Sequence, residues 1–349
     1  MEVLLRYALF KVAMLLISIE VIILLGCTAA IIAIKAYFKK RSRREKEIED
    51  GLTNIFIQSY LEDKVIKIPW RLRYFRHIVK ATEHFEHRID DPRWSRLKEA
   101  LVKKYLLSKA RSYIGSNSWI KRQLAARTLY LVPSIATEQH LEALLHDSKY
   151  LVRVVAANTI TKISSKKMLY QMINQMSRES RLSRFAYRDA LLQMNLEKFG
   201  WLRELLATEK RHEILEIVLD LFGTRTAENL FPHLLPFIYG DDFSLRLLAV
   251  KALKQNPSNE TNDVLIHCFD DKEWKIRAEA LKSLDPRITL KELSKVKKLL
   301  ADPEWNVRLQ AGLALKKLGE PGMRTLSEQT PHASENAYEI SRYVMALPS

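Results

Sequence analysis

Apolar residues are distributed along this chain in two ways, and each predicts a different kind of helix. From residue 12 to residue 34 no Lys or Arg interrupts the sequence, and thirteen positions are Val, Leu or Ile. A helix of that length reaches about 34 Å at ~1.5 Å per residue, enough to cross a bilayer. Its one charge is Glu20, whose cost near the centre, about 3 kcal/mol, is outweighed by aliphatic residues that return roughly 0.3 to 0.6 kcal/mol each. Farther along, apolar positions return at steps of three and four, the spacing of one helix face.

The second pattern repeats. Tyr150-Leu151-Val152-Arg153, Trp274-Lys275-Ile276-Arg277 and Trp305-Asn306-Val307-Arg308 share one frame, followed three residues on by Ala156, Ala280 and Ala311. Trp119 with Arg122 and Phe243 with Arg246 fit it, and Arg181 to Arg184 is a degenerate copy. The arginines at 122, 153, 184, 246, 277 and 308 are 31 residues apart, or twice 31 between 184 and 246. The skipped position is Leu215, inside an apolar run from 213 to 221, so the unit is expected to persist there without its signature. Two helices of about 11 to 13 residues with two short turns use this length.

The partner helix of each unit is predicted at 138–145, 166–176, 202–206, 263–269 and 291–300. Asp147, Asp271 and Asp302 each precede their arginine by six residues. Asp302-Pro303 is expected to start its helix, with Trp305, Leu309 and Leu313 as its apolar stripe. Small residues at 125, 156, 249, 280 and 311 let paired helices approach closely, and the tail from Gly319 to Met345 reads as a closing helix pair.

Composition narrows the picture. Only 9 of 349 residues are Gly, too few for phosphate-cradling loops or for a sheet built on tight turns, so an all-α chain is expected. The hydrophobic fraction is 47% and the charged fraction 28%, which excludes a disordered chain. Cys27 and Cys268 are the only cysteines and support neither a disulfide framework nor a zinc site.

The net charge of +16 is concentrated near the apolar stretch: residues 61–127 carry 17 basic and 7 acidic side chains. Lys39, Lys40, Arg41, Arg43 and Arg44 follow the stretch and are read as a membrane-surface cluster. Their excess places the C-terminal part in the cytoplasm, on a single-pass protein of the plasma (inner) membrane. Leu24-Leu25-Gly26-Cys27 is similar to a bacterial lipobox, but Thr28 to Ile34 stays apolar where a polar tether is expected.

The repeat residues resemble HEAT repeats of the short, phycobilisome-lyase-like type over residues 113–320. That resemblance implies an α-solenoid and makes Trp119, Arg122, Asp147, Arg153, Arg184 and Arg246 structural signature residues, with Asp271, Trp274, Arg277, Asp302, Trp305 and Arg308. In the family Arg and Asp pair along the stack, a match present at Arg153, Arg277 and Arg308 and lacking its acid at Arg122 and Arg184. The order of membrane helix, basic linker, helical segment and repeats is similar to bacterial membrane-anchored HEAT-repeat proteins, some of which accompany membrane glycosyltransferases.

The expected layout is an N-terminal segment at 1–34 with its span at 12–34, a basic linker at 35–50, a membrane-proximal helical segment at 51–112, the solenoid at 113–320 and capping helices at 321–349. No catalytic constellation emerges. His212-Glu213 begins like a zinc-protease helix, but Glu216 stands where the second His is needed. His77, His84 and His87 with Glu83 share a helical face and are read as solvated rather than as metal ligands. No metal, cofactor or small-molecule substrate is expected.

The reading is a membrane-tethered scaffold or adaptor for a membrane-associated protein, with Glu20 as a partner contact and a membrane glycosyltransferase or other envelope enzyme as the candidate partner. The alternative is a HEAT-fold nucleic-acid binder using residues 61–127, where Trp70, Tyr74, Phe75 and Trp94 alternate with arginines.

Overall fold

In the computed structural model the backbone is described for residues 2–348 except 66, 164 and 286–289; the side chains of 2–13, 15–18, 21, 290 and 291 also lie outside the description. The side-chain half of the expectation for residues 12–18 therefore falls largely outside the described residues. The described residues are helical or irregular, with no strand among them. Chain contacts divide the molecule into two units, 1–132 and 133–349.

The first unit begins with α1 (Glu2–Leu61), one uninterrupted helix of 60 residues, about 90 Å long at 1.5 Å per residue. No Pro falls within it, and Gly26 sits in open space. Its character changes along its length. Ile22, Ile23, Leu24, Leu25, Ile31 and Ile32 are all exposed, whereas Ile48, Leu52 and Phe56 are buried at steps of four, the mark of a helix apolar on one face. Residues 35–50 continue as helix between these two regimes.

Four more helices close the unit: α2 (Phe75–Glu86), α3 (Pro92–Tyr105), α4 (Leu107–Ile114) and α5 (Trp119–Leu131). Phe56, Phe85 and Trp94 form their aromatic core, with ring centroids 5.3 to 6.0 Å apart. Asp91 caps α3 by accepting the Arg93 N–H at 2.7 Å, with Pro92 at the first helical position, where its missing N–H costs nothing. The Tyr60 hydroxyl donates to Asp91 at 2.6 Å and ties this cap to the end of α1.

The second unit is a succession of short helices: α6 (Glu138–Leu145), α7 (Tyr150–Ile160), α8 (Lys166–Ser177), α9 (Arg181–Leu192), α10 (Leu196–Gly200), α11 (Leu202–Thr208), α12 (His212–Phe222), α13 (Phe231–Ile238) and α14 (Phe243–Leu253). It continues with α15 (Asn259–His267), α16 (Trp274–Ser283), α17 (Leu290–Lys298), α18 (Trp305–Lys317), α19 (Glu320–Ser327) and α20 (Glu335–Ala346). Side chains of Thr137, Ser165, Ser180, Asp242 and Ser258 accept a backbone N–H at the start of their helices, the usual remedy for unpaired first-turn donors.

Helices α7, α14, α16 and α18 each begin on the signature aromatic, and Ala156, Ala249, Ala280 and Ala311 are fully buried behind them. Signature helices pack side by side, α7 on α9 and then α12, α14, α16, α18 and α20 in sequence. Helix α18 corrects one expectation. It starts at Trp305, after Asp302-Pro303, and buries Val307, Ala311, Ala314 and Leu315, while Trp305 is exposed and Leu309 and Leu313 are half-buried. Trp305 instead stands edge-on to Tyr343 of α20, with centroids 6.4 Å apart.

Candidate functional site

Apart from Arg184, the signature arginines share one geometry. Each lies in the first turn of its helix and turns Nη1 back onto the carbonyls six and five residues earlier, groups with no helical donor of their own. The distances are 2.8 and 3.2 Å for Arg122, Arg153 and Arg246, 2.9 and 3.4 Å for Arg277, and 2.8 and 2.9 Å for Arg308. The arginine thereby pins the turn that enters its helix.

At Arg153, Arg246 and Arg277 the other edge of the guanidinium joins the next repeat. Arg277 grips Asp302 through two bonds of 2.8 Å, and Arg153 grips Glu179 at 2.6 and 2.8 Å. Arg246 Nε stands 3.1 Å from Asp271, close enough for an ion pair but without hydrogen-bond alignment. The aspartates also act locally, since Asp147, Asp271 and Asp302 accept the N–H two residues on. So the Asp six residues before an Arg gives that Arg its carbonyl, and at Asp271 and Asp302 the carboxylate meets the arginine of the preceding repeat.

Glu179 lies outside the 31-residue frame. It is buried, accepts from Gln175 and from the Tyr187 hydroxyl, and its carboxyl is held below the ordinary range by Arg153, against the cost of burial. Burial and the Glu179 charge push the Tyr187 phenol up. Cys268 is buried and its thiol is raised to about 12, chiefly by desolvation with a contribution from Asp271, which removes its nucleophilic form at neutral pH.

Between the rungs of Arg153 and Arg246 two are missing, and they are consecutive. Arg184 turns onto the carbonyls of Glu179 and Ser177 at 3.1 and 2.7 Å. Glu209, 25 residues on, is occupied by Arg211 at 2.9 and 3.1 Å and by the Tyr170 hydroxyl at 3.0 Å. Leu215 replaces the next arginine and Gly240 the acid that would face it. Where the rungs lapse, α12 packs on α8, α11 and α14.

A groove of about 600 Å³ lies there, lined from α9 by Arg181, Arg184, Phe185 and Arg188 and from α12 and α14 by Glu216, Ile217, Phe243 and Leu247. Arg188 meets Asp220 at 3.0 Å, and His212 meets Asp242 at 3.0 Å. Phe185 is 55% exposed and Leu182, one turn away, 81%. The degenerate Arg181 to Arg184 signature is the one sign of this site in the sequence; Phe185 itself carries none.

The remaining singled-out residues are scattered. Glu20 is exposed on α1, as are Lys39, Lys40, Arg41, Arg43 and Arg44, with Arg41 at 3.2 Å from Glu45 and Arg44 donating to Tyr74 at 2.9 Å. Trp119 and Trp305 are exposed, and Trp274 is half-buried. Glu83 accepts the Arg127 guanidinium, Nε at 2.7 Å, while His84 and His87 face solvent. His77 is packed near Glu49 and is lowered by desolvation. Among the described residues no three His, Cys, Asp or Glu side chains are grouped to hold a metal.

Comparison with known proteins bears on these repeats. HEAT repeats, as a family, match residues 231–316, the stretch from α13 into α18. Among solved structures, YibA of Escherichia coli is similar at a TM-score of 0.36 and 18% identity, over 74% of this chain and 97% of that one. An engineered protein is similar at 0.35 and 11% identity, over 85% and 88%. A mutant of Kap121p is similar at 0.47 and 14% identity, over 86% of this chain and 41% of that one. None of the curated proteins matches the sequence. The 31-residue period and the arginine rungs run through the stretch that the family matches, and residues 231–316 are HEAT repeats.

Proposed function

We propose that the protein is a membrane-tethered scaffold that holds a protein partner in the groove between α9, α12 and α14. The observation that carries this reading is the outward face of α9, where Leu182 and Phe185 are exposed beside the two missing rungs. An apolar side chain at the mouth of a groove is the usual anchor of an interface, and stacked helix pairs supply such surfaces without chemistry of their own.

The tether in this reading is α1, which is long and apolar enough to cross a membrane and exposes that apolar surface. The cations from Lys39 to Arg44 put the rest of the chain on the cytoplasmic side. Glu20, an exposed acid inside the span, faces a polar group of a multi-span partner. A membrane glycosyltransferase or other envelope enzyme fits that role. The short, lyase-like type of repeat, the 113–320 extent of the solenoid and the structural role of the signature residues belong to the same proposal.

The test is co-purification from native membranes. Leu182→Glu with Phe185→Glu leaves the melting temperature of the full chain unchanged, because both side chains are outside the core, and releases the partner. If that double variant retains the partner in full, the groove is not the binding site.

A further inference from the structure

We infer that the partner segment held in the groove is an acidic amphipathic helix, which lays its apolar face on Phe185 and Phe243 and turns carboxylates towards Arg181 and Lys275. This rests on the groove between α9, α12 and α14 being the partner site, and it adds the chemistry of what the partner places there.

The backbone around the groove points to a helix. Elsewhere in the second unit each signature helix packs directly on the next: α7 on α9, α12 on α14, α14 on α16, α16 on α18 and α18 on α20. Between α9 and α12 that packing lapses, since α9 packs on α7 and α8, and α12 on α8, α11 and α14. Arg188 reaches across the open seam, bonding Asp220 at 3.0 Å and Thr224 at 2.5 Å. A helix laid along such a seam has helices on both sides, and their side-chain ridges and grooves are the surface that a helix packs on. An extended segment would need a free sheet edge, and there is no strand among the described residues.

The charges around the groove sort into spent and unspent. Glu216 accepts the Ser244 hydroxyl, and Asp220 is held by Arg188 and by Lys251, the latter at 3.6 Å. Arg184 is turned onto its backbone carbonyls. Arg181, on the α9 wall, is exposed and enters no ion pair among the described residues. Lys275 of α16 is likewise exposed and unpaired, with Nζ 5.8 Å from the ring centroid of Phe243, which lines the α14 wall. The unspent charge is therefore positive at both walls, with the exposed Phe185 ring between.

Both cations also stand where their own helices disfavour them. Arg181 is the first residue of α9 and Lys275 the second of α16, the end at which the helix dipole repels positive charge. A carboxylate supplied from outside answers the side chain and the dipole together. A basic segment would meet repulsion from both.

The probe is a photoreactive residue in place of Phe185 of the full chain, irradiated in detergent-solubilised native membranes diluted until the otherwise unaltered chain gives half its maximal crosslink. Mass spectrometry should map the crosslink to a segment whose apolar residues recur at steps of three and four, with Asp or Glu within a turn on either side. Arg181→Glu with Lys275→Glu should lower the yield by about ten-fold, and high salt should lower it in the same direction. The melting temperature should not fall, because an acid is favoured in a first helical turn. Arg181→Lys with Lys275→Arg should keep the yield. Absence of any crosslink at Phe185 overturns the groove reading and this inference together. A crosslink whose yield is indifferent to the charge reversal and to salt, or one mapped to a basic or non-helical segment, overturns the inference and leaves the groove reading standing.

Discussion

Arg277 illustrates how one side chain can serve two repeats. Its Nη1 holds the turn before its own helix, and its Nε and Nη2 hold Asp302 of the next unit, with both partners largely buried. Truncating it to alanine leaves a buried carboxylate without its counter-ion and should destabilise the full chain by roughly 2 to 4 kcal/mol. Among the described residues Arg308 has only the carbonyl bonds, to Asp302 and Pro303, so Arg308→Ala should cost about 1 kcal/mol. Thermal unfolding of the two variants checks this, and equal costs would show that the inter-repeat bond contributes nothing. The period made these arginines legible, but spacing along the chain does not reveal which way an aspartate side chain turns. Glu179 stayed hidden for a related reason: it is 26 residues from Arg153 rather than 25, outside any strict frame.

Glu209 sets a pH dependence at the same scale. Hydrogen bonds from Arg211 come first, with further ones from the backbone N–H groups of Arg211 and Lys210 and from Tyr170, and they hold its carboxyl at about 2. An unfolded Glu titrates near ~4.3. The folded value is depressed, so the stabilisation is complete above the unfolded value and disappears as pH falls from about 4.3 towards 2. Glu209→Gln should therefore lower stability by about 2 kcal/mol at neutral pH, and the gap to wild type should close on acidification across that window. A gap independent of pH would mean that charge is not what Glu209 supplies.

Among elements, the helices that the sequence made plainest are those whose apolar positions recur at helical spacing without an internal Pro. The predicted 138–145 and 166–176 correspond to α6 and α8, and the closing pair to α19 and α20. Helix α13 carried no such mark, because Pro232 and Pro236 fall within its eight residues and read as breakers. The stripe expected on α18 failed because a helix packed between neighbours on several sides has no single apolar face. Close approach is instead marked by small residues: a Cβ on Gly322 of α19 would lie 1.8 Å from the Leu315 carbonyl of α18. Gly322→Ala should destabilise by about 3 kcal/mol, whereas Gly200→Ala, with nothing within 4 Å, should be near neutral or slightly stabilising. Melting curves of the pair decide it, and an unperturbed Gly322→Ala would show that α19 does not close on α18 as described.

For the molecule as a whole, the helix content, the repeat and the long apolar helix were all readable from periodicity, since each is a property of spacing. The groove was not, because it arises from an absence: Leu215 for Arg, Gly240 for an acid, and Glu209 occupied by Arg211. Loss of a signature reads in sequence as a degenerate repeat, and only the packing of α12 shows that an accessible face of α9 results. Aromatic residues near the basic segment divided similarly. Phe75 and Trp94 fill the core of the first unit, while Trp70 and Tyr74 remain at its surface.

The central claim, that this face of α9 holds a protein partner, is tested most directly by site-specific photo-crosslinking of the full chain in its native membrane. A photoreactive residue in place of Phe185 should join one membrane-associated protein, and one in place of Leu182 should join the same protein. Tyr343, equally exposed on α20, serves as the control and should not. Crosslinks of equal yield and identity at Phe185 and Tyr343, or none at Phe185 and Leu182, would contradict the account.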